Sequence, residues 1–490
     1  MTHPYSHDEP GHDTRMSARR IALILIGPIL AAFTAWVATS MGLDRNAAVV
    51  AGVAVWMGLW WISEAAPLEI TGLIPLIFFP LLGVMKMEDA ARPYSNFLVF
   101  LLVGGTLLAA AMERWHLHTR LALNLMRVVG ARPTSLVGGF LAVSAFISMW
   151  VSNTATTAML LPVTLSVAAV VDSNRTMSEK ARSDFSAALL LAITFGASIG
   201  GVGTLVGTPP TAQLAAYLRA EMEYPITFIG WMKLGVPVVL VFVPVAWLVL
   251  TRLAFRVDGK RIEGVREVID GKLAELGPMS AAEKRTLVIF ALTVIAWLCG
   301  SLHKVNDAVI VLAAVFLLAL VPSGGIGSEP ILTWRTAARV PWGIWFLFGG
   351  GLSLAAGIES SGLAASIAGA GEGLHGVHVL GVMFAVSFAA VLLTEFSNNT
   401  ALVAMGMPIV AAIAKGLGIP PILLLVTLAL SASLGFMLPA GTAGNALVFQ
   451  TGRVSVRQMM RAGFLLDVLS ALLIPLVVYG AWKLGVVGNG

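Results

Sequence analysis

Twenty-one consecutive residues without a charge, IALILIGPILAAFTAWVATSM at positions 21–41, limit this chain more than any other feature. A helix of about 20 apolar residues spans a hydrocarbon core of roughly 30 Å. In lipid, every backbone N–H and C=O must also find a partner inside the protein. Comparable apolar runs begin near Ile21, Ala47, Leu68, Phe97, Asp184, Trp231, Thr286, Ala308, Gly343, Ile422 and Phe464, which makes about eleven predicted spans. The 490 residues are 58% hydrophobic and only 12% charged. A soluble globular chain carries about 25% charged residues, so this one lacks the charge to cover a water-facing surface. The fold class is therefore an all-α polytopic membrane protein. A membrane β-barrel would read as short alternating strands instead.

Two further apolar runs, residues 133–171 and 380–414, carry polar interruptions at their centres. If each is a re-entrant hairpin that enters and leaves on one side, the loops sort by charge. The face holding the N-terminal tail and residues 113–132, 172–182, 252–285, 335–339 and 453–461 then carries 23 of the 31 Lys and Arg. Excess Lys and Arg marks the cytoplasmic side. The expectation is an inner (plasma) membrane protein with a cytoplasmic N-terminus and an extracytoplasmic C-terminus. It divides into a tail (1–20), a first membrane half (21–251) with the hairpin at 133–171, a cytoplasmic connector (252–285) and a second half (286–490) with the hairpin at 380–414. The connector mixes both charge signs and has room for an amphipathic surface helix.

Other features exclude function classes. The polar first twenty residues before a full-length span do not read as a cleaved signal peptide, and His3, His7 and His12 there read as part of a solvated tail. One cysteine, Cys299, rules out an internal disulfide framework. The net charge of +5 is accounted for by the cytoplasmic loops and gives no reason to expect nucleic acid. The remaining histidines, His116, His118, His303, His375 and His378, fall in loops or at span ends. With no nucleophile–base pair or metal cluster beside the polar interruptions, an enzyme is not expected, nor is an organic cofactor.

The two halves repeat. GGTLLAAAME (104–113) and GGLSLAAGIE (350–359) agree at six of ten positions with an offset of 246. The same offset lays SMWVSNTATTAMLLPV (148–163) on TEFSNNTALVAMGMPI (394–409), with six of sixteen identical. The spans that carry the first pair run in opposite directions, so the repeat is inverted. Inverted repeats with interrupted helices mark secondary transporters. A channel is not expected to carry doubled hairpins.

Four polar pieces then need one explanation. Two are the hairpin tips, Ser152-Asn153-Thr154-Ala155 and Asn398-Asn399-Thr400-Ala401. Two are the Gly-rich breaks GASIGGVGTLVGTPPTA (196–212) and SLGFMLPAGTAGNA (433–446), which share Gly-Thr at Gly207–Thr208 and Gly441–Thr442. Singly, such residues often only bond or pack across membrane helices. Together they supply two things: helix N-termini that favour an anion, and hard oxygen ligands suited to Na⁺. None of the four holds a Lys or Arg. An anion there must be balanced by helix ends and co-bound cations.

The paired tips and the Gly-Thr-Pro-Pro break resemble the divalent anion:sodium symporter family, and the resemblance runs through essentially the whole chain. It implies a homodimer in a lipid bilayer, built of scaffold and transport domains that move as an elevator. It also implies sodium-coupled symport of a dicarboxylate, a tricarboxylate such as citrate, or sulfate, with two or more Na⁺ ions. A C4-dicarboxylate such as succinate, malate or fumarate is the expected substrate. The resemblance places one sodium site at Ser148, Ser152, Asn153 and Gly207, and a second at Thr394, Ser397, Asn399 and Gly441. Substrate carboxylates are expected at Asn153, Thr154, Thr208, Asn399, Thr400 and Thr442. Asn398 stands where the family commonly has Ser, and Ala443–Gly444 where Pro-Pro is common, so the second site bears the departures. A dicarboxylate exchanger or a proton-coupled carrier on the same fold is the alternative. Two carboxyls fall at membrane depth. Glu395 is read as an orienting or capping group, with proton coupling as the sharper possibility, and Asp467 as a hydrogen-bonding residue of the last span. Glu113 and Glu359, related by the repeat, read as structural.

Overall fold

The computed structural model describes residues 17–172, 177–257, 261–325, 327–371 and 376–486. The tail histidines and His375 lie outside them. The described residues are helical, with one isolated bridge between Pro322 and Pro330. Eight helical stretches are long and apolar enough to cross a membrane, and six shorter apolar helices stand beside them.

The N-terminal part runs α1 (Ala18–Ser40), α2 (Arg45–Ser63), α3 (Leu68–Thr71), α4 (Ile74–Leu81), α5 (Met87–Ala91) and α6 (Phe97–Arg114). Then come α7 (Leu117–Arg127), α8 (Pro133–Ser148), α9 (Asn153–Asp172), α10 (Glu179–Gly201), α11 (Pro209–Met222) and α12 (Phe228–Leu248). The connector contains α13 (Val265–Glu275), the surface helix for which the sequence left room. The C-terminal part runs α14 (Ala281–Leu298), α15 (Gly300–His303), α16 (Asp307–Leu320), α17 (Trp334–Ala337), α18 (Ile344–Ser360) and α19 (Leu363–Gly371). It ends with α20 (Val379–Thr394), α21 (Asn399–Gly416), α22 (Pro421–Ser433), α23 (Ala443–Gln450) and α24 (Val456–Lys483). The series α6–α12 recurs in order as α18–α24. The short helices α7 and α19 take the same place in each series, between the Gly-rich span and the hairpin.

Local chemistry sets the helix starts. Ser17, Ser178 and Thr227 each accept an amide N–H from the first turn of α1, α10 and α12. Ser280 with Glu283, and Ser455 with Gln458, form reciprocal capping boxes on α14 and α24. Each satisfies donors that a membrane helix could not leave open.

Ion pairs join loops that charge sorting put on one face. Arg453 Nη1 lies 2.7 Å from Asp172 Oδ2. Arg127 meets Asp270, and Arg120 meets Glu283, each at 2.8 Å. On the other face, Lys415 Nζ is 2.9 Å from Glu359 Oε1.

Two apolar cores form. The larger takes in α6, α8–α12 and α20–α24; the smaller is made of α2, α4, α18, α19 and α21. Its spine is α18, whose glycines let neighbours approach at backbone level. A side chain at Gly350 would collide with the Gly72 carbonyl, and one at Gly351 would lie 2.7 Å from the Ala404 Cβ of α21.

Candidate functional site

Each hairpin breaks where the sequence turns polar. Helix α8 ends at Ser148 and α9 begins at Asn153, while α20 ends at Thr394 and α21 begins at Asn399. The same bond bridges both gaps. Ser148 Oγ donates to Asn153 Oδ1 at 2.7 Å, and Thr394 Oγ1 donates to Asn399 Oδ1 at 2.6 Å. These positions are related by the 246-residue offset, so the repeat extends to hydrogen-bond geometry.

At the first hairpin the break, residues 202–208, closes the other side. A side chain at Gly201 would strike Asn153 Oδ1. A Cβ on Gly207 would lie 2.5 Å from the Gly201 carbonyl oxygen and 2.8 Å from that of Ser148. The Ser148 and Gly201 carbonyls thus face Gly207, and Asn153 Oδ1 faces Gly201. Thr204 fixes the break by donating to the Met149 carbonyl at 2.5 Å and accepting the Gly207 N–H at 3.2 Å. The Trp231 indole donates to Val202 O at 2.9 Å. The acceptors among these groups are all uncharged oxygens, the ligand type a small hard cation prefers.

The second hairpin meets its break, residues 434–442, in the same way. Thr394 Oγ1 is also 2.7 Å from the Ala432 carbonyl, and a Cβ on Gly435 would lie 2.6 Å from Thr394 Cγ2. Ser397 turns its hydroxyl back to Leu393 O at 2.8 Å, which leaves its backbone toward the break. Asn398 caps α21, with Oδ1 accepting from Thr400 N at 3.0 Å and Ala401 N at 3.4 Å. Ser152 has the same job at the first tip, accepting from Ala155 N at 3.3 Å. The larger side chain at Asn398 therefore serves as a helix cap.

Four helix N-termini lie at these tips and breaks: α9, α21, α11 and α23. Thr208 and Thr442 stand at the N-cap positions of α11 and α23. Contact between α9 and α23 links the halves. Beside Gly444, Thr157 Oγ1 and Thr194 Oγ1 would lie 2.9 and 2.7 Å from an added Cβ. Thr194 donates to Asn445 Oδ1 at 2.8 Å. Thr194, Thr204 and Asn445 were not among the residues singled out from the sequence; Asn445 was visible there only as an amide two residues after the Ala443 of its break. The two tips differ in exposure. Ser152 and Thr154 are exposed. Their repeat partners are less so: Asn398 is half-buried and Thr400 is buried at the start of α21, a helix that packs against α2, α11 and α18.

Among the described residues, no histidine joins these groups. His118 is buried with Nδ1 3.2 Å from the Met112 carbonyl, and burial pushes its pKa down to about 4. Among the described residues, no cluster of His, Cys, Asp and Glu is placed to hold a metal ion.

The chain was compared with known proteins. Residues 16–487 match the family described as the sodium:sulfate symporter transmembrane region. A Staphylococcus saprophyticus protein named sodium-dependent dicarboxylate transporter SdcS is 36% identical over 467 residues, which cover 93% of this chain and 90% of that one. A Staphylococcus aureus (strain USA300) protein of the same name is 36% identical over 478 residues, 94% and 91% of the two chains. The crystal structure of the Alcanivorax borkumensis YdaH transporter, reported to have an unusual topology, is similar with a TM-score of 0.53 and 13% identity. That likeness covers 84% of this chain and 88% of the other, and it is one of fold alone.

Proposed function

The chain belongs to the sodium:sulfate symporter family, the divalent anion:sodium symporters, and on that premise we propose that it couples Na⁺ to the uptake of a C4-dicarboxylate such as succinate, malate or fumarate. The observation that carries this reading is the duplicated Ser/Thr-to-Asn bond, Ser148–Asn153 and Thr394–Asn399. Each sets an amide oxygen and a backbone break at a helix N-terminus, with no basic residue in either cage. Na⁺ binds Ser148, Ser152, Asn153 and Gly207 in one cage and Thr394, Ser397, Asn399 and Gly441 in the other. Ser148 and Gly207 contribute their carbonyls there; Ser152 and Ser397, whose hydroxyls are engaged locally, contribute backbone. The dianion lies between the tips, one carboxylate toward Asn153, Thr154 and Thr208 and the other toward Asn399, Thr400 and Thr442. Two Na⁺ ions and four helix ends neutralise two carboxylates in a medium where an unpaired charge is costly.

The exposure difference between the tips supports an elevator. Ser152 and Thr154 are exposed, while their repeat partners Asn398 and Thr400 are half-buried and buried at the start of α21, the arrangement expected of an inward-facing carrier if the charge-rich face is cytoplasmic. Transport then exchanges the two roles, as an inverted repeat permits. α8–α12 and α20–α24 move against a scaffold that holds α2, α6, α16 and α18, and the scaffold pairs with a second copy to form a homodimer.

Uptake of labelled succinate into proteoliposomes tests the coupling. Uptake should need Na⁺ and be inhibited more by malate and fumarate than by citrate or sulfate. Uptake that is unchanged when K⁺ or choline replaces Na⁺ would leave an exchanger or a proton-coupled carrier instead.

A further inference from the structure

Where α7 passes into α8 the chain borders a cleft of about 580 Å³. Among the described residues its walls carry Arg127, Arg132, Arg261 and Arg266 and no carboxylate. Three parts of the chain build it: the end of α7, residues 128–132 with the first turn of α8, and the stretch from Arg261 into α13. The Ile262 N–H donates to the Ala131 carbonyl at 2.9 Å, which stitches the connector to the α7–α8 link. Leu136, Val265 and Ile269, all buried, give the cleft its apolar wall. Arg127 is shared, with Nε 2.8 Å from Asp270 Oδ1. Arg132, Arg261 and Arg266 are exposed, and among the described residues their guanidinium groups have no ion pair or hydrogen bond.

Like charges gathered round one cleft repel, and an anion that bridges them removes the repulsion. A guanidinium offers donors in a planar fork that matches two oxygens of a phosphate. The rim of the cleft decides between a free phosphate and one carried by a lipid. Val128, in the wall, is 85% exposed, and Leu125, three residues earlier on α7, is exposed as well. The buried face of α7 is Leu117, His118, Ala122, Leu123 and Met126, so Leu125 and Val128 lie off that face, beside the arginines. A soluble anion gains nothing from an apolar rim, whereas the acyl chains of a phospholipid continue from its phosphate. The cleft also lies on the face richer in Lys and Arg, at the start of the first hairpin. Basic pockets at the ends of membrane helices suit anionic headgroups.

We propose that this cleft is a binding site for an anionic phospholipid, with the phosphate held by Arg132, Arg261 and Arg266 and the acyl chains passing over Val128 and Leu125. Binding of this kind does not depend on which ion or substrate the chain carries. Its place gives the lipid leverage on the hairpin. The start of α7 is pinned, with Arg120 Nε 2.8 Å from Glu283 Oε1 and Arg120 Nη1 donating to the Gly277 carbonyl at 3.0 Å. The other end leads through residues 128–132 straight into α8. A headgroup in the cleft ties that link to the connector by charge, in addition to the Ile262–Ala131 bond.

Titration of the purified full-length protein in neutral detergent with phosphatidylglycerol or phosphatidylcholine, with bound lipids counted by native mass spectrometry, tests the site. The wild type should retain phosphatidylglycerol at concentrations where phosphatidylcholine is not retained. Arg261→Gln with Arg266→Gln should weaken the tightest binding step by about tenfold or more, since each basic group near an anionic headgroup contributes about fivefold. Arg335→Gln with Arg339→Gln removes two exposed arginines elsewhere on the same face and should leave that step within about twofold of wild type. Val128→Asn should weaken it as well, and inorganic phosphate at the same concentration should not displace the lipid. The inference is overturned if the Arg261 and Arg266 variant binds like the wild type, if the Arg335 and Arg339 variant loses as much, or if phosphatidylcholine is retained equally. Displacement by inorganic phosphate, with Val128→Asn unchanged, would give the cleft to a soluble anion and overturn the lipid assignment. Should the double variant not fold, Arg132→Gln alone decides, with a loss of about fivefold expected and wild-type binding as the refuting result.

Discussion

Gly207→Ala places a methyl between the Gly201 and Ser148 carbonyls, inside the cation cage proposed above. Its Cβ would lie 2.5 Å from the Gly201 carbonyl oxygen and 2.8 Å from the Ser148 carbonyl oxygen. A carbon–oxygen contact relaxes at about 3.3 Å, so the two walls must part by roughly 0.5–0.8 Å. Both neighbours are backbone, and neither can swing away as a flexible side chain would. Overpacking of this kind costs about 1–3 kcal/mol. An empty cage can spread at little cost, whereas a loaded one needs those oxygens to converge, so most of the cost falls on the bound state. At about 1.4 kcal/mol per tenfold, apparent sodium affinity should drop by about 5- to 140-fold. The repeat-related control is Gly441→Ala. Its Cβ would meet Glu395 Oε2 at 3.2 Å and Leu438 O at 3.4 Å, distances that small shifts relieve, so its sodium curve should stay within about threefold of wild type. The assay is sodium activation of succinate uptake in proteoliposomes with matched amounts of inserted protein. A wild-type sodium curve for Gly207→Ala, or equal damage from both variants, would refute the assignment of Gly207 to a cation cage.

Asn153→Ala should abolish most transport while the protein still inserts, whereas Thr156→Val should transport normally and unfold no earlier, because the buried Thr156 hydroxyl has no partner to lose; comparing uptake and unfolding temperature of the two checks this. Asn398→Ser should keep the α21 cap and the wild-type sodium curve, while Asn398→Ala should cost about 1 kcal/mol of stability, visible in chemical unfolding.

Spans, hairpins and tips were legible because each depends on neighbours in sequence. The apolar runs near Ile21 and Phe464 mark helices by length alone, and Asn153 and Asn399 stand out as amides in uncharged surroundings. The 246-residue offset was legible too, and the structure extends it to the α7 and α19 helices, whose sequences share too little to be matched directly. The identity of the hairpin caps needed coordinates. Asn398 reads as an altered ligand in sequence, but its oxygen is occupied by the α21 amides. That Asp467 and Glu395 take successive amides of one loop, at Phe436, Met437 and Leu438, was out of reach, since 72 positions separate them and only the path of residues 434–442 brings them there. Thr194 and Asn445 meet across the two halves for the same reason: a single polar residue in an apolar span looks alike whether it faces a site, a helix or a loop.

The most direct test of the central claim is accumulation. Proteoliposomes loaded with K⁺ buffer and diluted into Na⁺ buffer containing labelled succinate should concentrate succinate above the outside level, then lose the excess as the sodium gradient runs down. With equal Na⁺ on both sides, or with a sodium ionophore present, succinate should only equilibrate. Equilibration at the same level with and without the gradient would contradict sodium-coupled symport.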